Sequence, residues 1–263
     1  MTDLQPQFLN SGAGPDRRRI AYLCEPAAAA DRGGLFWLPG LKSEMISSKA
    51  EAMARWAGQH ALGATRFDYS GHGQSDGRFE DGTITRWLAD ARAVFETVSA
   101  GPQVLVGSSM GGYIALLLLR QLLAEAPEQA RRIRALVLIA PAWDMTERLM
   151  WQPFPESAKR AILEVGVYAR PSEYGEPYMI TRALIEDGRR HLIGDTGFDP
   201  GRPVQIMHGL LDPDVPWEHT LDLVADLRGD WTHVEAVPDG EHRLSRPDDL
   251  ALMFRLFERV TGA

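Results

Sequence analysis

Residues 107–111, Gly-Ser-Ser-Met-Gly, fit the pattern G-x-S-x-G in one register only, with Ser109 at the centre. That pattern suits a sharp strand-to-helix turn holding the central hydroxyl outward in a strained conformation. Glycines two positions either side remove the Cβ atoms that would strike neighbouring backbone. Ser108 reads as a small residue tucked beside the turn. A serine hydroxyl becomes a useful nucleophile only when an imidazole takes its proton and a carboxylate orients that imidazole.

On such a turn the acid and then the histidine follow the serine along the chain. Of the seven histidines, only His219, His233 and His242 follow a suitable acid. His242 ends Pro-Asp-Gly-Glu-His, a loop just past an apolar strand, whereas His233 falls inside that strand and His219 on a helix. His72 and His208 come too early and read as structural hydrogen-bonding residues, and His60 and His191 as ordinary helix or lid residues. For the acid, HGLLDPDVP at 208–216 offers two aspartates. Asp212 is preferred because D-x-x-V-P turns from that strand into the next helix. Asp214, read as solvated or helix-capping, and Asp144 stay open as alternatives. An acyl-transfer oxyanion needs two preorganised N–H donors. The Met110 amide supplies one, and the Leu41 amide in Pro-Gly-Leu, residues 39–41, is the expected second. Lys42 reads as a solvated loop residue able to meet an anionic leaving group.

These residues need a scaffold that carries them to one place. Short β-rich runs at 35–38, 64–69, 104–106, 136–139, 204–207 and 232–237 alternate with helical patterns at 48–60, 83–98, 110–124, 217–227 and from 247 onward. That alternation predicts an α/β fold with a mostly parallel central sheet flanked by helices. In such a sheet the loops at the carboxyl ends of the strands form the ligand edge. PGLKS, DYSGHGQSDG, GSSMGG, HGLLDPDVP and PDGEH all fall there. The G-x-G of the second lacks the strand-turn-helix context of a dinucleotide site and reads as a shaped loop beside the active site.

About sixty residues separate the runs at 136–139 and 204–207, where a crossover needs roughly a dozen. The stretch is rich in Met, Trp, Tyr, Leu and Phe, and prolines 153, 155, 171 and 177 break it into short helices. It reads as a lid at 143–200 over a hydrolase-like core at 1–142 and 201–263, with some of its apolar side chains lining a pocket.

Composition narrows the partners. With 28 basic against 36 acidic residues, the net charge of −8 argues against nucleic acid or an anionic membrane as main partner. Arg17-Arg18-Arg19 is too short to reverse that and flanks an early strand. Cys24 is the single cysteine and reads as a small apolar strand residue, so neither an intramolecular disulfide nor a cysteine-based zinc site is expected. No His, Asp or Glu cluster has metal-ligand spacing, and no cofactor is expected. The longest apolar run, 113–119, is too short to span a bilayer. MTDLQPQFLN resembles neither a secretory signal nor a transit peptide, so a cytoplasmic location is expected.

The blocks RFDYSGHGQSDG, GPQVLVGSSMGGY, MHGLLDPDVPW and GEHR, spread between about residues 34 and 245, make the chain similar to the α/β-hydrolases. More narrowly, it resembles the branch of mitochondrial palmitoyl-protein thioesterases that also cleave mycophenolic acid acyl-glucuronide. The resemblance implies Ser109 as nucleophile, Asp212 as acid, His242 as base, and the Leu41 and Met110 amides as oxyanion donors. The expected activity is a cofactor-free serine hydrolase acting on small-molecule esters or thioesters with a hydrophobic acyl group, or on an acylated protein. Two rivals share the fold: a lyase or cofactor-free perhydrolase, and a non-catalytic binding protein. Nothing in the sequence indicates an oligomeric state.

Overall fold

The computed structural model describes residues 4–29, 31–171, 177–194 and 196–263; Ala30 and Tyr174 lie outside them. Among the described residues ten strands are formed: β1 (Gln7–Ser11), β2 (Arg18–Glu25), β3 (Gly34–Leu38), β4 (Gly63–Phe67), β5 (Gln103–Ser108), β6 (Ile133–Ile139), β7 (Val167–Arg170), β8 (Tyr178–Thr181), β9 (Val204–Gly209) and β10 (Thr232–Val237). The helices are α1 (Ser48–Gln59), α2 (Ile84–Thr97), α3 (Met110–Glu125), α4 (Pro127–Arg132), α5 (Glu156–Arg160), α6 (Arg182–Gly188), α7 (Trp217–Asp226) and α8 (Pro247–Thr261).

The main sheet runs β1-β2-β4-β3-β5-β6-β9-β10. From β4 to β10 every pairing is parallel, while β2 pairs antiparallel with both β1 and β4. The inner parallel strands β3, β5, β6 and β9 are covered on both faces, which explains why they read as largely apolar runs, whereas the edge strand β10 is partly exposed. Alternation then sorts their side chains. Phe36, Leu38, Leu105, Leu136 and Leu138 pack with α2 and α3, whereas Leu35, Trp37, Val104, Val106 and Val137 pack with α1 and α8. Helix α3 is buried almost all round, as its run of leucines requires.

Element ends follow local chemistry. Thr83 caps α2 by accepting the Arg86 amide at 3.2 Å. Pro247 opens α8, and Asp249 reaches back to the Arg246 amide at 2.9 Å.

The insertion between β6 and β9 is only partly helical. It holds π-helical stretches at Thr146–Trp151 and Ala161–Val165, α5 and α6, but also the antiparallel pair β7–β8, which the proline reading did not anticipate. Pro171 and Pro177 sit at the ends of these strands rather than inside helices. Val167, Tyr168, Tyr178, Ile180 and Thr181 are β-branched or aromatic, and pairing rewards them over a helix. The two ends of the insertion are tied by Asp144. Its buried carboxylate accepts the Ile193 and Gly194 amides at 2.8 and 2.9 Å. Among the described residues no helix is long and apolar enough to cross a membrane.

Candidate active site

Strand β5 ends at Ser108 and α3 begins at Met110, leaving Ser109 alone at the junction with φ 54° and ψ −120°. A positive φ is costly for a residue with a Cβ, so the surroundings must impose it. They do so through hydrogen bonds: the Ser109 amide donates to Ile139 O at 2.9 Å, and its carbonyl accepts the Ala142 amide at 3.1 Å. The flanking glycines are sterically required. A Cβ on Gly107 would lie 2.4 Å from Gly111 O, and one on Gly111 only 1.9 Å from Leu38 O.

The Ser109 hydroxyl lies 3.0 Å from His242 Nε2, and His242 Nδ1 lies 2.7 Å from Asp212 Oδ2. The carboxylate can only accept, so Nδ1 carries its proton and Nε2 is left to accept from the serine. The other Asp212 oxygen accepts the Asp214 and Val215 amides at 2.8 and 2.9 Å. Three N–H donors thus satisfy a side chain that is wholly buried. Asp214 contributes its amide to Asp212 and lies beside it. Asp144 is committed to the two ends of the insertion, so neither alternative acid takes the imidazole. Ligand atoms of Asp212, Asp214 and His242 come within 4.8 Å of one another, a grouping hidden by their sequence spacing. Asp212 is already hydrogen-bonded to both of the others.

The Met110 amide opens α3, so it is one of the N–H groups that the helix cannot satisfy itself. Gly40 rests against the turn, its Cβ position 3.3 Å from Ser108 O and 3.4 Å from Ser109 Cβ. That close approach brings Leu41 to the same cavity as Ser109 and His242. The cavity holds about 310 Å³, and the insertion contributes Met145, Leu149, Met150 and Tyr178 to its wall. Phe154 and Ile162 instead pack in the core, and Leu163 is exposed.

A family model described as serine aminopeptidase, S33, an α/β-hydrolase family, matches residues 32–187. The human protein called palmitoyl-protein thioesterase ABHD10, mitochondrial, is 31% identical over 94% of this chain and 76% of its own. The chain belongs to the α/β-hydrolase family. Among solved structures, a putative hydrolase from Agrobacterium vitis S4 is 41% identical with a TM-score of 0.95, covering 98% of this chain and 99% of that one. The mouse α/β hydrolase domain-containing protein 10 is 27% identical with a TM-score of 0.83, covering 97% of each chain. With relatives named thioesterase and hydrolase, the protein is a serine hydrolase enzyme.

The remaining histidines of the hydrolase have structural partners. His208 donates from Nε2 to Val215 O at 2.9 Å and accepts the Thr220 hydroxyl at Nδ1, 2.7 Å away. Accepting at Nδ1 requires a neutral ring, and burial holds its pKa down. His219 donates to Trp143 O at 2.8 Å, and Trp143 returns the bond to His219 O at 2.7 Å. His72 donates to Ser70 O and is ringed by Tyr69, Phe79 and Trp87. Burial pushes both His72 and His219 down to about 4.

A stability prediction follows. Below pH 6.5 the unfolded imidazoles take up protons that the native ones refuse until about pH 4, so stability falls as pH drops through that window. Each ring contributes a slope of about 1.4 kcal/mol per pH unit. Buried Asp68 and Asp144, whose pKa values are raised by burial, oppose this, so the comparison must isolate one ring. His72→Phe leaves Ser70 O still bonded by the Trp87 indole at 3.2 Å. Urea midpoints for the two proteins at pH 7 and pH 5 are expected to diverge; parallel pH profiles would refute the assignment.

Sequence reading missed two contributions to the site. Asp68 accepts the Met45 amide at 2.7 Å and the Gln74 amide at 2.9 Å, linking the G-x-G loop to the loop that carries Leu41. The G-x-G loop therefore braces the site rather than lining it among the described residues. The second omission is cationic. Lys49, Arg170 and Arg243 join Lys42 on the cavity wall, and no spacing in the chain connects them.

Proposed function

We propose that the enzyme hydrolyses carboxylic esters or thioesters of hydrophobic acids through an acyl-Ser109 intermediate. The hydrogen-bonded chain Ser109–His242–Asp212, at 3.0 and 2.7 Å, carries this reading. His242 Nε2 takes the hydroxyl proton as Oγ attacks the acyl carbon, and Asp212 holds the imidazole in the required tautomer and stabilises its charge. The Leu41 and Met110 amides are assigned to the oxyanion of the tetrahedral intermediate. His242 then gives its proton to the leaving group. Water repeats the sequence on the acyl-enzyme, releasing the acid and restoring Ser109.

The lid side chains at Met145, Leu149 and Met150 favour an apolar acyl chain. The relatives' name, palmitoyl-protein thioesterase, supports thioesters among the substrates, on a small molecule or an acylated protein. A fluorophosphonate probe followed by peptide mapping tests the assignment. The adduct is expected on Ser109; labelling elsewhere, or none, would sink it.

A further inference from the structure

The cavity around Ser109 is cationic as well as apolar. Lys42 from the loop after β3, Lys49 from the first turn of α1, Arg170 from β7 and Arg243 beside the histidine all line it, against one lining carboxylate among the described residues, Asp214. In a chain with 28 basic and 36 acidic residues this local excess runs against the overall balance. Several of the groups are held in place. Lys42 Nζ stands 5.0 Å from the Phe79 ring and 5.1 Å from the Tyr178 ring, and donates to Pro177 O at 3.3 Å. Lys49 Nζ donates to the Arg243 carbonyl.

The start of α1 adds to the positive field. Ser47, its N-cap, lines the cavity but makes no capping bond, and its buried Oγ has no partner among the described residues. First-turn amides and the helix dipole favour an anion there. Burial pushes the Lys49 ammonium down to about 8; Asp249 and Asp212 pull it up less strongly, and Arg243 repels it. A nearby anion would relieve that cost.

We propose that these cations form a subsite for phosphates on the leaving group, so that the preferred substrates are hydrophobic acyl thioesters of phosphate-bearing thiols. This rests on the acyl-enzyme reading above. Four cationic side chains offer more charge than a single carboxylate can match, which favours a polyanionic leaving group. The C–S bond breaks as the tetrahedral intermediate collapses, the thiol leaves with its phosphates and a proton from His242, and water supplies the hydroxyl of the released acid.

The test compares kcat/KM for one acyl chain on coenzyme A, on uncharged N-acetylcysteamine and on a uronic acid. The coenzyme A thioester is expected to exceed the N-acetylcysteamine thioester at least tenfold in low salt, with the ratio shrinking as salt screens the charges. Lys49→Met and the exposed-site change Lys42→Glu are each expected to lower that ratio at least fivefold. A ratio near one, or one that neither variant alters, overturns the subsite. A uronate ester preferred over the coenzyme A thioester also overturns it, pointing to a carboxylate. If the uncharged thioester is cleaved and Ser109 is labelled while the ratio stays near one, only the subsite fails. If nothing is cleaved or labelled, the acyl-enzyme reading fails with it.

Discussion

Replacing Ser109 with glycine is expected to abolish hydrolysis while raising the melting temperature. Loss of the hydroxyl removes the proposed nucleophile, which should lower kcat on the order of 10⁴-fold or more. The same change removes the Cβ that makes φ 54°, ψ −120° unfavourable. Strain of this kind costs about 1–3 kcal/mol, and the extra chain entropy of glycine offsets about 0.4–1 kcal/mol of its release. A net gain of about 1 kcal/mol corresponds to a rise of roughly 2–4 °C. Ser109→Ala separates the two effects. It keeps the Cβ and the strain but loses the hydroxyl, so it should be equally inactive without the glycine variant's thermal gain. Equal melting temperatures for the two variants would show that the turn stores no strain.

Gly111→Ala should be the most damaging single-carbon addition near the site. The new Cβ would lie 1.9 Å from Leu38 O and 2.7 Å from Pro39 O, both main-chain atoms at the end of β3. Neither can swing aside as a side-chain tip could. Relief requires moving α3 away from β3, at a cost on the order of 3 kcal/mol or more. It would also shift Met110, next to Gly111 in the chain, away from the loop after β3 that carries Leu41. A displacement of about 1 Å costs about 10²-fold in rate where geometry governs catalysis. Thermal melts and kcat/KM, measured together, are expected to fall together. Gly58→Ala supplies the control. It lies in α1 with nothing within 4 Å of its Cβ position and should gain about 0.5–1 kcal/mol from helix propensity. If Gly111→Ala behaves like Gly58→Ala, the packing account of the turn is wrong.

Much of this was legible before any coordinates, because the responsible signals are local. G-x-S-x-G selects Ser109 over Ser108 since only one register leaves glycine at both clashing positions. The strand readings at 35–38, 104–106 and 136–139 hold because buried parallel strands must be apolar on both faces. Chain order and loop position singled out His242, while the D-x-x-V-P turn favoured Asp212 and left Asp214 and Asp144 open; the structure closes the 30-residue separation of Asp212 and His242 to 2.7 Å. The insertion was less transparent. Its prolines signalled interruptions, but the choice between helix and strand at 167–170 and 178–181 depends on each segment finding the other.

Sequence by itself determined the alternating α/β plan, the strained turn and the types of residue able to do acyl-transfer chemistry. These are properties of short segments, governed by periodicity, sterics and turn geometry. Tertiary structure alone decided which aspartate reaches the imidazole, how Asp68 braces the Leu41 loop, and that four cations from separate segments share the cavity with Ser109. Side chains remote in the chain acquire a common field only when the sheet places its loops on one edge. No local pattern encodes that distance.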